Sequence, residues 1–137
     1  MNEPVQVAVS VRRSGSTASE GRVRNHVVTM DRPTAKGGED RGAMGGEHLL
    51  MSLGGCFMSN LLAAATAREV PLDDVHLAIT GTLEGPPSRF TRVDMAVTGS
   101  GCDREALTRL VTIAERGCIV ANTVKNAVAL TISVTAG

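Results

Sequence analysis

Residues 52–65, SLGGCFMSNLLAAA, are the centre of the most apolar segment of the chain. Apolar side chains recur there at helical spacing on two overlapping faces, which predicts one buried helix over residues 47–68. Gly54 and Gly55 each cost such a helix about 1 kcal/mol relative to alanine, yet they stand together immediately before Cys56. Glycine lets a backbone or a ligand approach closely. We therefore interpret the pair as clearing space beside the Cys56 thiol.

The segments on either side of this helix predict strands and two further helices. Before the helix, strands with alternating polarity are expected at residues 4–11 and 22–30 around a turn at 14–21, followed by an ordered loop at 34–46. After it, we expect strands at 73–85 and 88–99, helices at 103–117 and 118–128, and a last strand at 129–136. This order favours an α+β fold with an antiparallel or mixed sheet wrapped around the long central helix. The helix carries more apolar surface than one small sheet covers, so we expect a partner subunit.

Length and composition exclude several classes of function. The 137 residues suit a single domain over 1–137. Fourteen basic residues balance fourteen acidic ones, so nucleic acid and anionic membranes are not expected as partners. The N-terminus lacks the pattern of a signal peptide, and the longest apolar run is too short to span a bilayer. We therefore expect a cytoplasmic protein.

Three cysteines, Cys56, Cys102 and Cys118, are the candidate reactive groups. An odd number in a chain without a leader does not indicate a disulfide framework. Cys118 follows Gly117 and opens a helix, where free backbone N–H groups lower the pKa of a thiol. Cys102 lies in a polar turn and is expected to be partly exposed and incidental. From these residues alone, Cys56 and Cys118 are either buried space-filling side chains or reactive thiols. The three histidines are scattered along the chain, and we expect no metal site.

Two longer segments carry a resemblance to a known family. Residues 37–57, GGEDRGAMGGEHLLMSLGGCF, and 114–134, AERGCIVANTVKNAVALTISV, resemble the two signature segments of the OsmC/Ohr family of osmotically inducible and organic hydroperoxide resistance proteins. The first signature ends in Gly-Gly-Cys or Ala-Ala-Cys, and the second has the form Ala-x-x-x-Cys-Pro-x-Ser-Asn before a terminal strand. Because both occur in the right order, the resemblance covers nearly the whole chain. It implies an OsmC-like fold assembled as an intertwined homodimer.

The resemblance also implies a thiol peroxidase. Cys56 matches the family's peroxidatic cysteine and Cys118 its resolving cysteine, so a peroxide would convert Cys56 to a sulfenic acid that Cys118 closes to a disulfide. An external dithiol, typically a protein-bound lipoyl group, would reduce that disulfide, and no metal, flavin or other cofactor is implied. The apolar side chains around Cys56 favour an organic or lipid-type hydroperoxide as substrate.

The family activates its peroxidatic cysteine with a glutamate and an arginine. Glu47 matches the carboxylate, but nine residues of continuous helix separate it from Cys56, a rise of roughly 13 Å. We therefore hypothesise that Glu47 acts on the partner's site; the alternative is a solvated acid favoured by the helix dipole. Arg13, in VRRSGSTAS (11–19), is the candidate guanidinium, with Arg24 in reserve.

Departures from the family pattern keep other functions open. Gly45 and Ile119 stand where the family has prolines, Ala121 stands where it has serine, and His48 replaces an apolar residue. These changes leave both thiols in place but alter the backbone around them. The alternatives are a dimer that binds a small apolar ligand with little peroxidase activity, and a redox-sensing dimer.

Overall fold

Five strands and three α-helices follow one another in the computed structural model, which describes residues 3–126 and 129–134. In chain order they are β1 (Ser10–Arg13), β2 (Ser19–Val23), β3 (His26–Met30), a 3₁₀ turn (Thr34–Lys36), α1 (Gly45–Ala67), β4 (Val75–Glu84), β5 (Arg89–Gly99), α2 (Arg104–Gly117) and α3 (Ile119–Val124). The predicted α+β class is confirmed. The chain divides between Leu49 and Leu50 into two compact units, and a single domain over residues 1–137 stays a prediction.

The first unit contains an antiparallel sheet with the order β1-β2-β3. The single strand predicted at residues 22–30 is wrong, because Arg24 and Asn25 reverse the chain between Val23 and its partner His26. Arg24 adopts a left-handed φ of 52°. The turn contains neither glycine nor proline, the residues that most often mark a chain reversal, so residues 22–30 resembled one strand. The first strand is also shorter than predicted and begins only at Ser10.

Asp31 orders the loop that follows this sheet. Its carboxylate is buried, 4% exposed, and accepts hydrogen bonds from Thr17 Oγ1 at 2.8 Å and from the backbone N–H of Arg32 at 2.7 Å. The N–H groups of Glu39 and Arg41 donate to its other oxygen at 3.2 Å each. Burial alone raises the pKa of Asp31, but these four donors, Thr17 foremost, hold it below its ordinary value.

Asp31→Asn is expected to lower the melting temperature by several degrees at pH 7, and by progressively less as the pH falls below about 3.9, the ordinary pKa of an aspartate. Because the folded-state pKa is depressed, the stabilisation by Asp31 is complete above its unfolded pKa and is lost as the pH falls through the folded pKa. Thermal unfolding followed by circular dichroism from pH 7 to pH 2 measures this. Asp40→Asn is the control, since Asp40 is exposed in the same loop at a left-handed φ of 55°, which asparagine tolerates. A difference between wild type and Asp31→Asn that is constant with pH would contradict the assignment.

The second unit is built on the β4–β5 hairpin and the three helices. The strands pair antiparallel from Val75 opposite Gly99 to Glu84 opposite Arg89, as the predicted strands at 73–85 and 88–99 require. Its core consists of buried side chains from all three helices and the α2–α3 junction: Leu53, Phe57, Leu61, Ala64, Ala65, Leu110, Ala114, Cys118 and Ala121. The partly buried side chains of β4 and β5 pack against this cluster, for example Leu77, Ile79 and Met95.

Helix α1 confirms the prediction made at residues 47–68 to within two residues at either end. It is long and apolar enough to cross a membrane by length and composition, a property that core helices of soluble proteins share. The predicted burial holds for one side of α1, where Leu53, Phe57 and Leu61 are buried. Leu49, Met51 and Leu62 are between 45% and 53% exposed. Met51 and Leu62 share one side of α1 and Leu49 lies nearly opposite, so α1 exposes apolar side chains on two sides in the part of the chain that the structure describes.

The C-terminal part differs most from the sequence prediction. Helix α3 ends at Val124 rather than at residue 128, and residues 127–128 lie outside the described residues. Residues 129–134 are described as exposed chain without strand pairing, and 135–136, the end of the predicted last strand, are not described. Their apolar side chains are at least 80% exposed at Leu130, Ile132 and Val134. The alternation typical of a strand is present there, but a strand also requires a neighbour with which to pair.

Candidate active site

Cys56 and Cys118 lie in contact with each other. Cys56 is on the half-buried side of α1, and Cys118 is fully buried between α2 and α3. The two thiols are close enough for each to shift the pKa of the other. The structure therefore brings together the two cysteines that the resemblance paired.

The junction between α2 and α3 places the second thiol. Helix α2 ends at Gly117, and Cys118 takes an extended backbone conformation (φ −78°, ψ 111°) that ends one helix and begins the next. Its sulfur accepts a hydrogen bond from the N–H of Ala121 at 3.4 Å. The N–H groups of Ile119 and Val120, at the start of α3, lie near the Cys56 thiol instead and lower its pKa. The short helix thus presents its first N–H groups to the thiol of α1.

These contacts move the two pKa values in opposite directions. The Val120 N–H lowers the pKa of the Cys56 thiol most; burial raises it, and Cys118 and the Ile119 N–H lower it further, so that it falls below its ordinary value. Burial raises the pKa of Cys118, and hydrogen bonding to Cys56 raises it further despite the Ala121 N–H. The expectation of a lowered pKa at Cys118 is wrong, because the strongest donors of the helix start face Cys56. Cys56 is therefore the more acidic thiol of the pair.

Asn60 is a residue of this site to which the sequence analysis gave no role. It follows Cys56 by one helical turn, and its Nδ2 donates to the Cys56 carbonyl oxygen at 2.9 Å and lies 4.0 Å from the Cys56 sulfur. Its Oδ1 faces Gly117, where an added Cβ would lie 3.2 Å away. The available signal was a polar side chain on an apolar helix face, four residues beyond a cysteine.

The two glycines before Cys56 serve different purposes. A Cβ at Gly54 would lie 2.7 Å from Ile79 Cδ1, so Gly54 allows strand β4 to pack closely on α1. Its space is filled by the protein, which corrects the interpretation that it is cleared for a ligand. A Cβ at Gly55 would have no heavy atom of the described chain within 4 Å. Gly55 alone borders open space next to the thiol.

Glu47 lies in the first turn of α1 and is exposed. Its Oε1 accepts a hydrogen bond from the Met44 N–H at 2.8 Å, which satisfies a free backbone donor at the helix start. Because α1 is continuous from Gly45, a carboxylate at this position serves the helix of its own chain. Its action on a partner's Cys56 stays a prediction.

The candidate arginines lie on exposed parts of the first sheet. Arg13 ends β1, and its Nε donates to the Gly15 carbonyl at 2.7 Å. Arg24 occupies the tight turn between β2 and β3. A role for either guanidinium at Cys56 stays a prediction. Cys102 is half-buried in the turn before α2, which agrees with its expected partial exposure.

Comparison with known proteins gives one family and several related folds. Residues 37–133 match the family model described as OsmC-like protein. No curated protein matches the chain. Among solved structures, the OsmC-like protein from Mycoplasma pneumoniae has a TM-score of 0.79 at 14% identity, with 90% of this chain and 89% of that chain covered.

Two organic hydroperoxide resistance proteins have similar structures. The one from Elizabethkingia anophelis, with thiocyanate bound, has a TM-score of 0.68 at 16% identity and covers 89% of each chain. The one named OhrB from Bacillus subtilis has a TM-score of 0.62 at 18% identity, with 86% of this chain and 89% of that chain covered. At these identities the likeness is one of fold.

Proposed function

Because the chain belongs to the OsmC-like family, we propose that it is a cysteine-based peroxidase that reduces organic hydroperoxides to alcohols. The observation that carries the proposal is the Cys56–Cys118 pair. The Cys56 thiol, whose pKa is lowered, lies beside the buried Cys118 thiol, whose pKa is raised. A space-filling cysteine needs neither the donors of α3 nor a second sulfur.

The proposed cycle starts with the Cys56 thiolate. Its sulfur attacks the terminal peroxide oxygen, the O–O bond breaks, and the alkoxide leaves and takes up a proton to become the alcohol. Cys56 is thereby oxidised to the sulfenic acid while the peroxide is reduced. The Cys118 sulfur then attacks the Cys56 sulfur, water leaves, and a disulfide joins the two residues.

An external dithiol is the proposed reductant. Thiol–disulfide exchange transfers both electrons to the Cys56–Cys118 disulfide and leaves the reductant as its own disulfide. A lipoyl group on a carrier protein has the required chemistry, and the reaction as written needs no metal or organic cofactor. We place the protein in the cytoplasm, where thiol reductants keep cysteines reduced.

Apolar surroundings support an organic substrate. Cys56 packs against the core cluster together with Met58, and Phe57 of the same turn is 4% exposed. An alkyl or aryl peroxide gains from burial against such side chains, whereas hydrogen peroxide has no apolar part to bury. The substrate class we propose is therefore an organic, lipid-type hydroperoxide.

A homodimer is the proposed active form. Helix α1 exposes the apolar side chains of Leu49, Met51 and Leu62. Two segments near the ends of the described chain also carry exposed, alternating apolar residues. Those segments contain Val5, Val7 and Val9, and Leu130, Ile132 and Val134. Within an intertwined dimer, Glu47 and Arg13 of one protomer would act on the other protomer's Cys56.

The test is thiol loss on exposure to cumene hydroperoxide. We expect two of the three thiols per chain to disappear within seconds to minutes, one alcohol to form per disulfide, and a dithiol to restore both thiols. Cys102→Ser is the matched control and should lose the same two thiols. Unchanged thiols after prolonged excess peroxide would reject the peroxidase and favour the alternative, a dimer that binds a small apolar ligand.

A further inference from the structure

The amide of Asn60 joins the two segments that carry the reactive thiols. Its Nδ2 donates to the Cys56 carbonyl, and its Oδ1 rests against Gly117, the residue before Cys118. Because a backbone carbonyl only accepts hydrogen bonds, the atom facing it must be the amide nitrogen. The side chain is thereby held in one orientation, with its nitrogen on the side of Cys56.

One hydrogen of this amide remains available at the thiol. Nδ2 carries two hydrogens, and the bond to the Cys56 carbonyl uses one. The nitrogen lies 4.0 Å from the Cys56 sulfur, which is too long for a strong hydrogen bond to that atom. An oxygen bonded to the sulfur on this side would lie closer to Nδ2 than the sulfur does.

We propose that Asn60 is a further catalytic residue, whose free amide N–H donates to the oxygen that the Cys56 sulfur takes from the peroxide. The inference rests on the proposed peroxidase function. As the O–O bond breaks, the sulfur donates an electron pair to the terminal oxygen, and the alkoxide departs with the pair from the broken bond. The transferred oxygen becomes the sulfenic oxygen of Cys56, which Asn60 binds until Cys118 displaces it as water. A fixed donor aimed at such an oxygen stabilises the transition state without reorganisation.

The experiment compares two reactions of the same thiol in Asn60→Leu and Asn60→Ala. Leucine retains the branched shape of asparagine without its hydrogen-bond donors. Alanine is the second variant because it removes the donors without adding bulk that could clash with neighbouring atoms. The rate constant for Cys56 oxidation by cumene hydroperoxide is expected to fall at least ~10-fold in both variants. Alkylation of Cys56 by iodoacetamide transfers no oxygen, so its rate should change less than ~3-fold. The pH at which the alkylation rate is half-maximal should move by less than ~0.5 pH units.

Asn126→Ala is the matched control. Its Nδ2 donates to the carbonyl of Asn122, also four residues earlier, at 3.1 Å. The variant therefore removes the same kind of bond from an amide to a backbone carbonyl, at an exposed position just after α3. It should leave both rates unchanged. Circular dichroism melting shows whether each variant is folded.

Two results would overturn the inference while leaving the peroxidase intact. One is an undiminished peroxide rate in folded Asn60→Leu or Asn60→Ala. The other is an equal fall in peroxide oxidation and alkylation, since the amide would then act on the thiolate and not on the oxygen. A wild-type protein whose Cys56 is alkylated but never oxidised by peroxide would reject the proposed function, and this inference with it.

Discussion

Cys56→Ser is expected to abolish peroxide reduction, lowering turnover more than ~1,000-fold, whereas Cys118→Ser should stop the cycle after its first step. Serine cannot supply the thiolate that attacks the peroxide, so the first variant has no nucleophile. The second retains Cys56 and the N–H donors of Ile119 and Val120. Its Cys56 should therefore still be oxidised, but the sulfenic acid has no second sulfur with which to condense.

Stopped-flow turnover with a dithiol and mass spectrometry after dimedone trapping distinguish these outcomes. Cys118→Ser should accumulate the dimedone adduct on Cys56 and, with excess peroxide, the sulfinic acid. Wild type should instead give the Cys56–Cys118 disulfide with little adduct. Full turnover in Cys56→Ser would contradict the assignment of the nucleophile, and rapid disulfide formation at Cys102 would contradict that of the second thiol.

Gly54→Leu should lower the stability of the protein, whereas Gly55→Leu should leave stability nearly unchanged and lower turnover. Gly54→Leu forces a side chain into Ile79, whose Cδ1 would already lie 2.7 Å from a Cβ. The expected loss in the free energy of unfolding is about 3 kcal/mol. Gly55→Leu meets no atom of the described chain within 4 Å of its Cβ, so unfolding should change by less than about 1 kcal/mol. Its turnover should fall about 100-fold, because leucine occupies the space beside Cys56 that the peroxide needs.

Urea unfolding and peroxide turnover measure the two effects separately. Thr66→Leu is a control for Gly55→Leu, since Thr66 is exposed on the same face of α1 three turns further on. It should leave turnover unchanged. Unimpaired kinetics in Gly55→Leu would refute the role given to that glycine, and a fully stable Gly54→Leu would refute the close packing of β4 on α1.

The long helix was predictable because its signal is repeated many times along the chain. Apolar residues at helical spacing from Leu49 to Ala64 identify α1 without any knowledge of its neighbours. The β4–β5 hairpin and α2 were predictable for the same reason, with Asp103 accepting from the Ala106 N–H as the expected start of the helix. The turn at Arg24 was missed because it contains no glycine or proline.

The Asn60 contact was not predictable from local pattern. In the sequence Asn60 is only a polar residue in an apolar helix. Its place beside the second thiol depends on its contact with Gly117, which is distant along the chain. The direction in which each of the two thiol pKa values shifts was likewise not predictable from the sequence. A helix start lowers the pKa of whichever thiol its N–H groups face, and the backbone of α3 turns them toward Cys56.

Periodicity, turn residues and two spaced motifs were sufficient to predict the α+β class and the long helix α1, because each depends on side chains close together along the chain. The motifs also singled out Cys56 and Cys118 through the family resemblance, and the reactivity of these thiols stays a prediction. The contact between Cys56 and Cys118, the choice of Cys56 as the more acidic thiol and the separate roles of Gly54 and Gly55 emerged when α1 packed against β4 and the α2–α3 junction. Hydrogen bonds, burial and close packing act between atoms adjacent in space, and the order of residues does not state which distant atoms those are.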